Sequence, residues 1–168
     1  MFCRATDRPP NRTWGAVLSV DDEPAALALR QEILKQAGFG VLSAATASEA
    51  LALLQANHID LVLLEPILAG AECTELIERM KELKPDVPVV LYSAALSIPE
   101  GAGSADEFIT KLAPVDELMN TIHDLISKRR AIVRHFGPVL SGPNPTRSNA
   151  IRVSHNLWRH GLRGCFSG

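Results

Sequence analysis

The hydrophobic positions in the middle of this chain follow two patterns that alternate. Short continuous apolar runs are typical of strands buried in a parallel sheet. Five runs of this kind cover residues 16–20, 40–44, 60–64, 87–92 and 107–110. Apolar residues at helical spacing separate or follow them. These stretches predict helices over 24–37, 47–56, 72–83 and, with a stripe of six apolar residues, 115–126.

Two of the predicted helices carry sequence signals at their ends. Pro24 suits a first helical turn, and Gly38 is typical of the residue that follows a helix. Thr46 and Glu49 form a capping box, in which the hydroxyl and the carboxylate satisfy free amides at the helix start. The boundaries near residues 24, 38 and 46 are therefore predicted from local chemistry.

The alternation of strands and helices predicts the fold class. Repeated βα units imply right-handed crossovers and a three-layer α/β/α sandwich. The arrangement that fits best is a flavodoxin-like, doubly wound, five-stranded parallel sheet of order 2-1-3-4-5, which places strands 1 and 3 side by side. Its fourth helix is predicted to be degenerate, a loop or a single turn, because Pro99, Gly101 and Gly103 leave little room for helix.

Carboxylates follow two strands that this order makes neighbours. Asp21 and Asp22 come directly after the first strand, and Glu65 after the third. Strand ends at the carboxyl edge of a parallel sheet line the crevice where ligands bind, so the three acids are predicted to cluster. Their mutual repulsion calls for a cation, and oxygen ligands suit Mg²⁺. We expect Asp21 and Asp22 to hold Mg²⁺, unless Glu65 itself fills the place of the metal.

Over residues 15–127 the chain resembles the receiver domain of two-component response regulators. Asp21 and Asp22 match the paired acids of that family, which hold Mg²⁺. The resemblance also implies a switch hydroxyl, an aromatic switch position and a lysine that neutralises the phosphorylated site. These match Ser93, Phe108 and Lys111.

Glu65 stands where the family has its phosphorylated aspartate. Its extra methylene pushes the carboxylate more than about 1 Å into the space of the incoming phosphoryl group, a displacement that can cost about 10²-fold in rate. Two outcomes are open. Glu65 either pairs with Lys111 and Ser93 and holds a phosphorylated-like conformation without a kinase, or the switch is lost and the domain survives as a binding module.

Two further departures concern the last strand and its surroundings. The family usually has a proline in a cis bond after the lysine, whereas Leu112 follows Lys111 here. A trans bond is predicted, because a cis bond to leucine costs about 2.5–4 kcal/mol. The degenerate fourth helix removes part of the face on which many receivers dimerise, so a monomer or weak dimer is expected.

Composition places the protein among soluble cytoplasmic domains. Hydrophobic residues make up 46% of the 168 residues, enough for a sizeable core, yet no run approaches the roughly 20 needed to span a bilayer. The first 14 residues lack the apolar stretch of a signal peptide. Three separated cysteines fit neither a disulfide set nor metal-ligand spacing.

Charge is distributed unevenly although the net charge is only −2. Residues 128–168 hold eight of the 17 Lys and Arg residues and no Asp or Glu, and residues 1–14 hold three arginines against one aspartate. Both ends are predicted to be basic and disordered, since residues 137–145 are rich in Gly and Pro and periodicity is lacking. The tail could offer its arginines to nucleic acid.

These features predict a stand-alone receiver-like domain in a phosphorelay, not an enzyme, that acts by contact with a sensor kinase or a downstream effector and not at a membrane. Three alternatives stay open at this point. They are a conventionally phosphorylated single-domain regulator, a Mg²⁺-dependent phosphatase using Asp21 and Asp22, and a nucleic-acid binder acting through residues 128–168.

Overall fold

The computed structural model describes residues 13–68, 72–94 and 102–136 of the chain. Five strands lie in this part, at β1 Ala16–Val20, β2 Gly40–Ala44, β3 Leu61–Leu64, β4 Val89–Ser93 and β5 Glu107–Thr110. Four α-helices accompany them, at α1 Pro24–Gln36, α2 Ala47–Ala56, α3 Cys73–Leu83 and α4 Val115–Phe136. Among these helices none is long and apolar enough to cross a bilayer.

The strands form one parallel sheet of order β2-β1-β3-β4-β5, as predicted. Its central strand pair aligns Leu18 with Val62 and Val20 with Leu64. The ladder continues beyond the strand ends, because the Glu65 amide donates to Val20 O at 2.9 Å and the Lys111 amide to Ser93 O at 2.7 Å. The residues that follow β1, β3 and β5 therefore meet at one edge of the sheet.

The core has two parts, one on each face of the sheet. On one face Val17, Leu63 and Val90 pack with Leu34 of α1 and Ile122 of α4. The other face packs against α2 and α3, and its cluster includes Leu18, Val62, Leu91, Leu54 and Ile77. Both faces are covered, which is why the strand sequences are almost continuously apolar rather than alternating.

The predicted helix signals act as expected, with one difference in detail. Gly38 adopts a positive φ of 92° and donates its amide to Lys35 O, which ends α1. The Glu49 amide donates to Thr46 Oγ1 at 3.2 Å, as in a capping box. The Glu49 carboxylate, however, accepts from the amide of Ala45, one residue before the helix cap.

The fourth crossover is degenerate, as predicted. Of its described residues, Ala102–Ser104 form a single 3₁₀ turn, while Pro99 and Gly101 lie outside the described residues. The strand boundaries differ slightly from the prediction. β4 extends to Ser93 because the Ser93 carbonyl accepts from Lys111, and β3 begins at Leu61, one residue after Asp60.

Helix α4 is longer than its apolar stripe predicts. It runs to Phe136, so the prediction of disorder from residue 128 is wrong for residues 128–136. Arg129 Nη1 donates to Ile59 O at 3.0 Å and to Asp60 Oδ1 at 3.2 Å, and Arg130 Nη2 lies 3.3 Å from Asp60 Oδ2. Asp60 is buried, and a buried charge requires counter-charges. Its ion pairs with the two arginines therefore hold this turn of the helix against the sheet. The predictions for residues 1–12 and 137–168 lie outside the described residues.

Candidate functional site

The candidate site lies at the carboxyl edge of the sheet. Asp21 follows β1, Glu65 follows β3, Ser93 ends β4 and Lys111 follows β5. Because all strands are parallel, these four ends open on the same side of the sheet. The structure thus brings together four of the six predicted site residues, and their polar atoms are in direct contact.

Glu65 points into this site and is only 7% exposed. Its Oε2 lies 2.6 Å from Lys111 Nζ. Its Oε1 accepts from Ser93 Oγ and from the amide of Ile67, both at 3.2 Å. The contacts predicted for Glu65 with Lys111 and Ser93 are therefore both present, and each carboxylate oxygen has a donor.

Lys111 joins the two buried acids. Besides Glu65 it contacts Asp21, with Nζ 3.1 Å from Oδ2. Burial alone would lower the pKa of Lys111, but hydrogen bonds and charges from Glu65 and Asp21 outweigh it, so the pKa is raised. Lys111 is therefore a cation at neutral pH. As predicted, it is followed by a trans bond, since the described residues contain no cis peptide.

Asp21 accepts three hydrogen bonds, two of which come from cationic side chains. Its Oδ2 accepts from Lys111 and, at 2.6 Å, from Arg30 Nη2, while its Oδ1 accepts from the Glu23 amide at 3.0 Å. Burial would raise the pKa of Asp21, but these hydrogen bonds and the charge of Arg30 outweigh it and the pKa is lowered. Asp21 is therefore ionised and already neutralised by side chains.

Arg30 is the member of the site that the sequence reasoning missed. It is 4% exposed, donates from Nη1 to Ser19 Oγ at 3.1 Å, and its Cζ lies 5.0 Å from the centre of the Tyr92 ring. A signal was present in the sequence. Arg30 precedes the buried Leu34 by four residues, so it lies on the core-facing side of α1, where a charged residue needs a partner.

The two remaining predicted residues, Asp22 and Phe108, differ in their exposure. Asp22 is exposed. Phe108 is half-buried and packs against the core cluster on the α2 and α3 face.

Other side chains already contact two of the three clustered acids. The carboxylate oxygens of Asp21 and Glu65 form hydrogen bonds and ion pairs with Arg30, Lys111, Ser93 and main-chain amides. Within the described residues no group of three or more His, Cys, Asp or Glu could hold a metal. Arg30 and Lys111 bring positive charge to the acidic cluster by pairing with Asp21 and Glu65.

Comparison with known proteins agrees with the fold. Residues 17–123 match the response regulator receiver domain, and the chain belongs to this family. The transcriptional regulatory protein GlrR of Escherichia coli is 28% identical over 116 residues. That match covers 67% of this chain but only 26% of GlrR, so this chain spans about a quarter of its relative.

Two solved receiver structures are similar to this chain. A CheY-like receiver domain protein from Methanospirillum hungatei has a TM-score of 0.65 and 28% identity, covering 70% of this chain and 98% of its own. The response regulator TrrA from Thermotoga maritima, solved in complex with Mg²⁺-BeF, has a TM-score of 0.62 and 28% identity, covering 66% of this chain and 98% of its own. The chain is thus a receiver domain of two-component signalling.

Proposed function

We propose that this receiver domain is not phosphorylated at its usual position, and that Glu65 stands in for the phosphorylated side chain. The domain then signals by protein–protein contact with a kinase or effector of a phosphorelay, without being charged by a kinase. The observation that carries this proposal is the pair of contacts from Glu65 to Lys111 Nζ at 2.6 Å and to Ser93 Oγ at 3.2 Å.

The position of the carboxylate argues against phosphoryl transfer to it. An acceptor oxygen must face the donor phosphorus in line, about 3–3.5 Å away, with room for the transferred group. Both Glu65 oxygens are engaged inside the pocket, and the side chain is almost fully buried. The longer acid fills the space between Ser93 and Lys111 that a phosphoryl group on a shorter acid would enter.

The charge of Glu65 supports the role of a stand-in. A charge-assisted hydrogen bond is worth about 1.5–3 kcal/mol, enough to bias a two-state loop by about one to two factors of ten. A carboxylate has one negative charge, whereas a phosphoryl group carries nearly two and three acceptor oxygens. The bias toward the phosphorylated-like arrangement is therefore partial, and a partner that binds this arrangement completes it.

Two alternatives receive less support from the geometry. A phosphatase would need Asp21 free to attack or to hold a metal, but Asp21 Oδ2 is paired with Arg30 and Lys111. Nucleic-acid binding through residues 128–168 loses two of its basic side chains, because Arg129 and Arg130 pair with Asp60 inside the domain.

The experiment is treatment of the full chain with acetyl phosphate, followed by intact-mass measurement. A conventional receiver with an aspartate acceptor in the same reaction shows that the donor is active. We expect no phosphoryl adduct on the wild type or on Glu65→Gln. An adduct on the wild type that is absent from Glu65→Gln would overturn the proposal.

A further inference from the structure

We propose that the guanidinium of Arg30 is a built-in cation that competes with a divalent metal for Asp21, so that the pocket binds Mg²⁺ only weakly. This inference concerns Asp21 and Arg30, and it stands whether or not Glu65 imitates a phosphorylated side chain. It accounts for a buried arginine that the proposed function does not use.

Competition for one oxygen atom carries the inference. A carboxylate oxygen has two lone pairs, and Asp21 Oδ2 already accepts from Arg30 at 2.6 Å and from Lys111 at 3.1 Å. Mg²⁺ binds oxygen at about 2.0–2.1 Å in a nearly ideal octahedron. An ion bound to Oδ2 at that distance would have to expel at least one of the two donors, which leaves only the second lone pair of Oδ1, beside the Glu23 amide.

Charge acts in the same direction. Asp21, Asp22 and Glu65 bring three negative charges to this edge of the sheet, and Arg30 and Lys111 reduce the net charge to −1, which weakens the attraction for a divalent ion. A divalent ion entering beside Asp21 would meet a guanidinium bonded to the same oxygen, in a region of low dielectric where like charges repel strongly. Arginine keeps its charge at any physiological pH, so this repulsion cannot be relieved by deprotonation.

Three separate elements of the fold hold the Arg30 side chain in place. Helix α1 carries it, Ser19 of β1 accepts from Nη1, and the ring of Tyr92 on β4 lies under the guanidinium. Planar, weakly hydrated guanidinium groups suit such buried pairs and stack on aromatic rings. These contacts fix the guanidinium beside Asp21.

A consequence follows for any attempt to restore a phosphorylatable site. Glu65→Asp shortens the acid but leaves Arg30 on Asp21. We expect Glu65→Asp alone to bind Mg²⁺ no more tightly than the wild type, and the double variant Glu65→Asp, Arg30→Met to bind it at least about tenfold more tightly.

The test is a titration of the full chain with Mn²⁺, which prefers the same oxygen ligands as Mg²⁺ and whose free form is counted by its electron paramagnetic resonance signal. Three proteins are compared: wild type, Arg30→Met and Arg79→Met. Arg79 lies exposed on α3, so its substitution removes an arginine away from the site.

We expect one Mn²⁺ to bind Arg30→Met at least about tenfold more tightly than it binds the wild type or Arg79→Met, since a repelling unit charge is removed. Excess Mg²⁺ should displace it. Stoichiometric binding to the wild type that is lost in Asp21→Asn would overturn the inference, as would a folded Arg30→Met that binds no better than the wild type. If Arg30→Met does not fold, Arg30→Gln, which keeps an amide donor for Asp21, decides the same question.

Discussion

Each edge of the sheet contains a buried aspartate that is paired with basic side chains, but the two clusters differ in composition. At the carboxyl edge Asp21, 2% exposed, lies between Arg30 and Lys111. At the amino edge Asp60, 4% exposed, lies between Arg129 and Arg130 and accepts from the Ala16 amide at 3.0 Å. In both places a buried carboxylate is neutralised by two basic side chains, as burial of a charge requires.

The difference lies in what else each cluster contains. The cations of Asp60 both come from α4, and Arg130 is 43% exposed, so this cluster ties the end of one helix to β1 and β3. The cluster at Asp21 adds a second acid, a serine hydroxyl and an aromatic ring, gathered from four strand ends and one helix. A buried ion pair alone therefore does not mark a functional site, whereas the convergence of several strand ends on it does.

The largest expected effect on the free energy of unfolding comes from substituting Arg30 at the carboxyl edge. Arg30→Met leaves Asp21 with Lys111 alone, and breaking a buried pair costs about 3–5 kcal/mol when one partner is removed. We expect the free energy of unfolding to fall by about 3 kcal/mol in a urea titration without metal. Arg79→Met should change it by less than about 0.5 kcal/mol. Equal effects of the two substitutions would mean that the Arg30–Asp21 pair is not stabilising.

At the amino edge the expected effect is smaller because Arg130 is partly solvated. Asp60→Asn removes the charge but keeps an acceptor, and a lost charge-assisted hydrogen bond costs about 1.5–3 kcal/mol. We expect a loss of about 2 kcal/mol and faster amide hydrogen exchange in α4 around residue 129. Asp86→Asn, at an exposed aspartate, is the matched control. Unchanged exchange in α4 would contradict the anchoring role of Asp60.

Glu65→Gln tests what the second acid contributes to the cluster around Asp21. The glutamine side chain has the size of the glutamate but lacks the negative charge that pairs with Lys111. The Lys111 side chain is itself partly exposed. We expect a loss of about 1 kcal/mol in stability and faster amide exchange near Ser93 and Lys111. Exchange that is unaffected at both positions would show that Glu65 does not hold the loops of the site.

The smallest expected effect is on the pH dependence of stability. The pKa of Asp21 is lowered by folding from 3.8, so its ionised form contributes stability that is present above that value and lost as pH falls through the folded-state pKa. The pKa of Lys111 is raised above 10.5, so its contribution is present below that value and lost only at higher pH. We expect Asp21→Asn to flatten the stability profile below about pH 4, measured by thermal unfolding. An acid limb as steep as that of the wild type would contradict this assignment.

Much of the site could be predicted because its members are set by the ends of strands. The residues Asp21, Glu65, Ser93 and Lys111 each follow or end a strand, and the strand order that the βα alternation implies places these ends together. The contacts of Glu65 with Lys111 and Ser93 follow from this order and from the length of a glutamate. The pairing of Asp21 with Arg30 could not be predicted in this way, because Arg30 lies on a helix and not at the end of a strand.

The amino-acid sequence by itself determined the strands, the helices and their order, because hydrophobic periodicity and helix caps act between residues that are neighbours in the chain. It also determined that acids would meet a lysine at one edge of the sheet. Only the tertiary structure decided that Arg30 would neutralise Asp21, and that Arg129 and Arg130 would extend α4 to reach Asp60. These pairs join residues on different elements, up to 70 positions apart, and a buried charge selects its partner by distance in space, which hydrophobic patterning does not record.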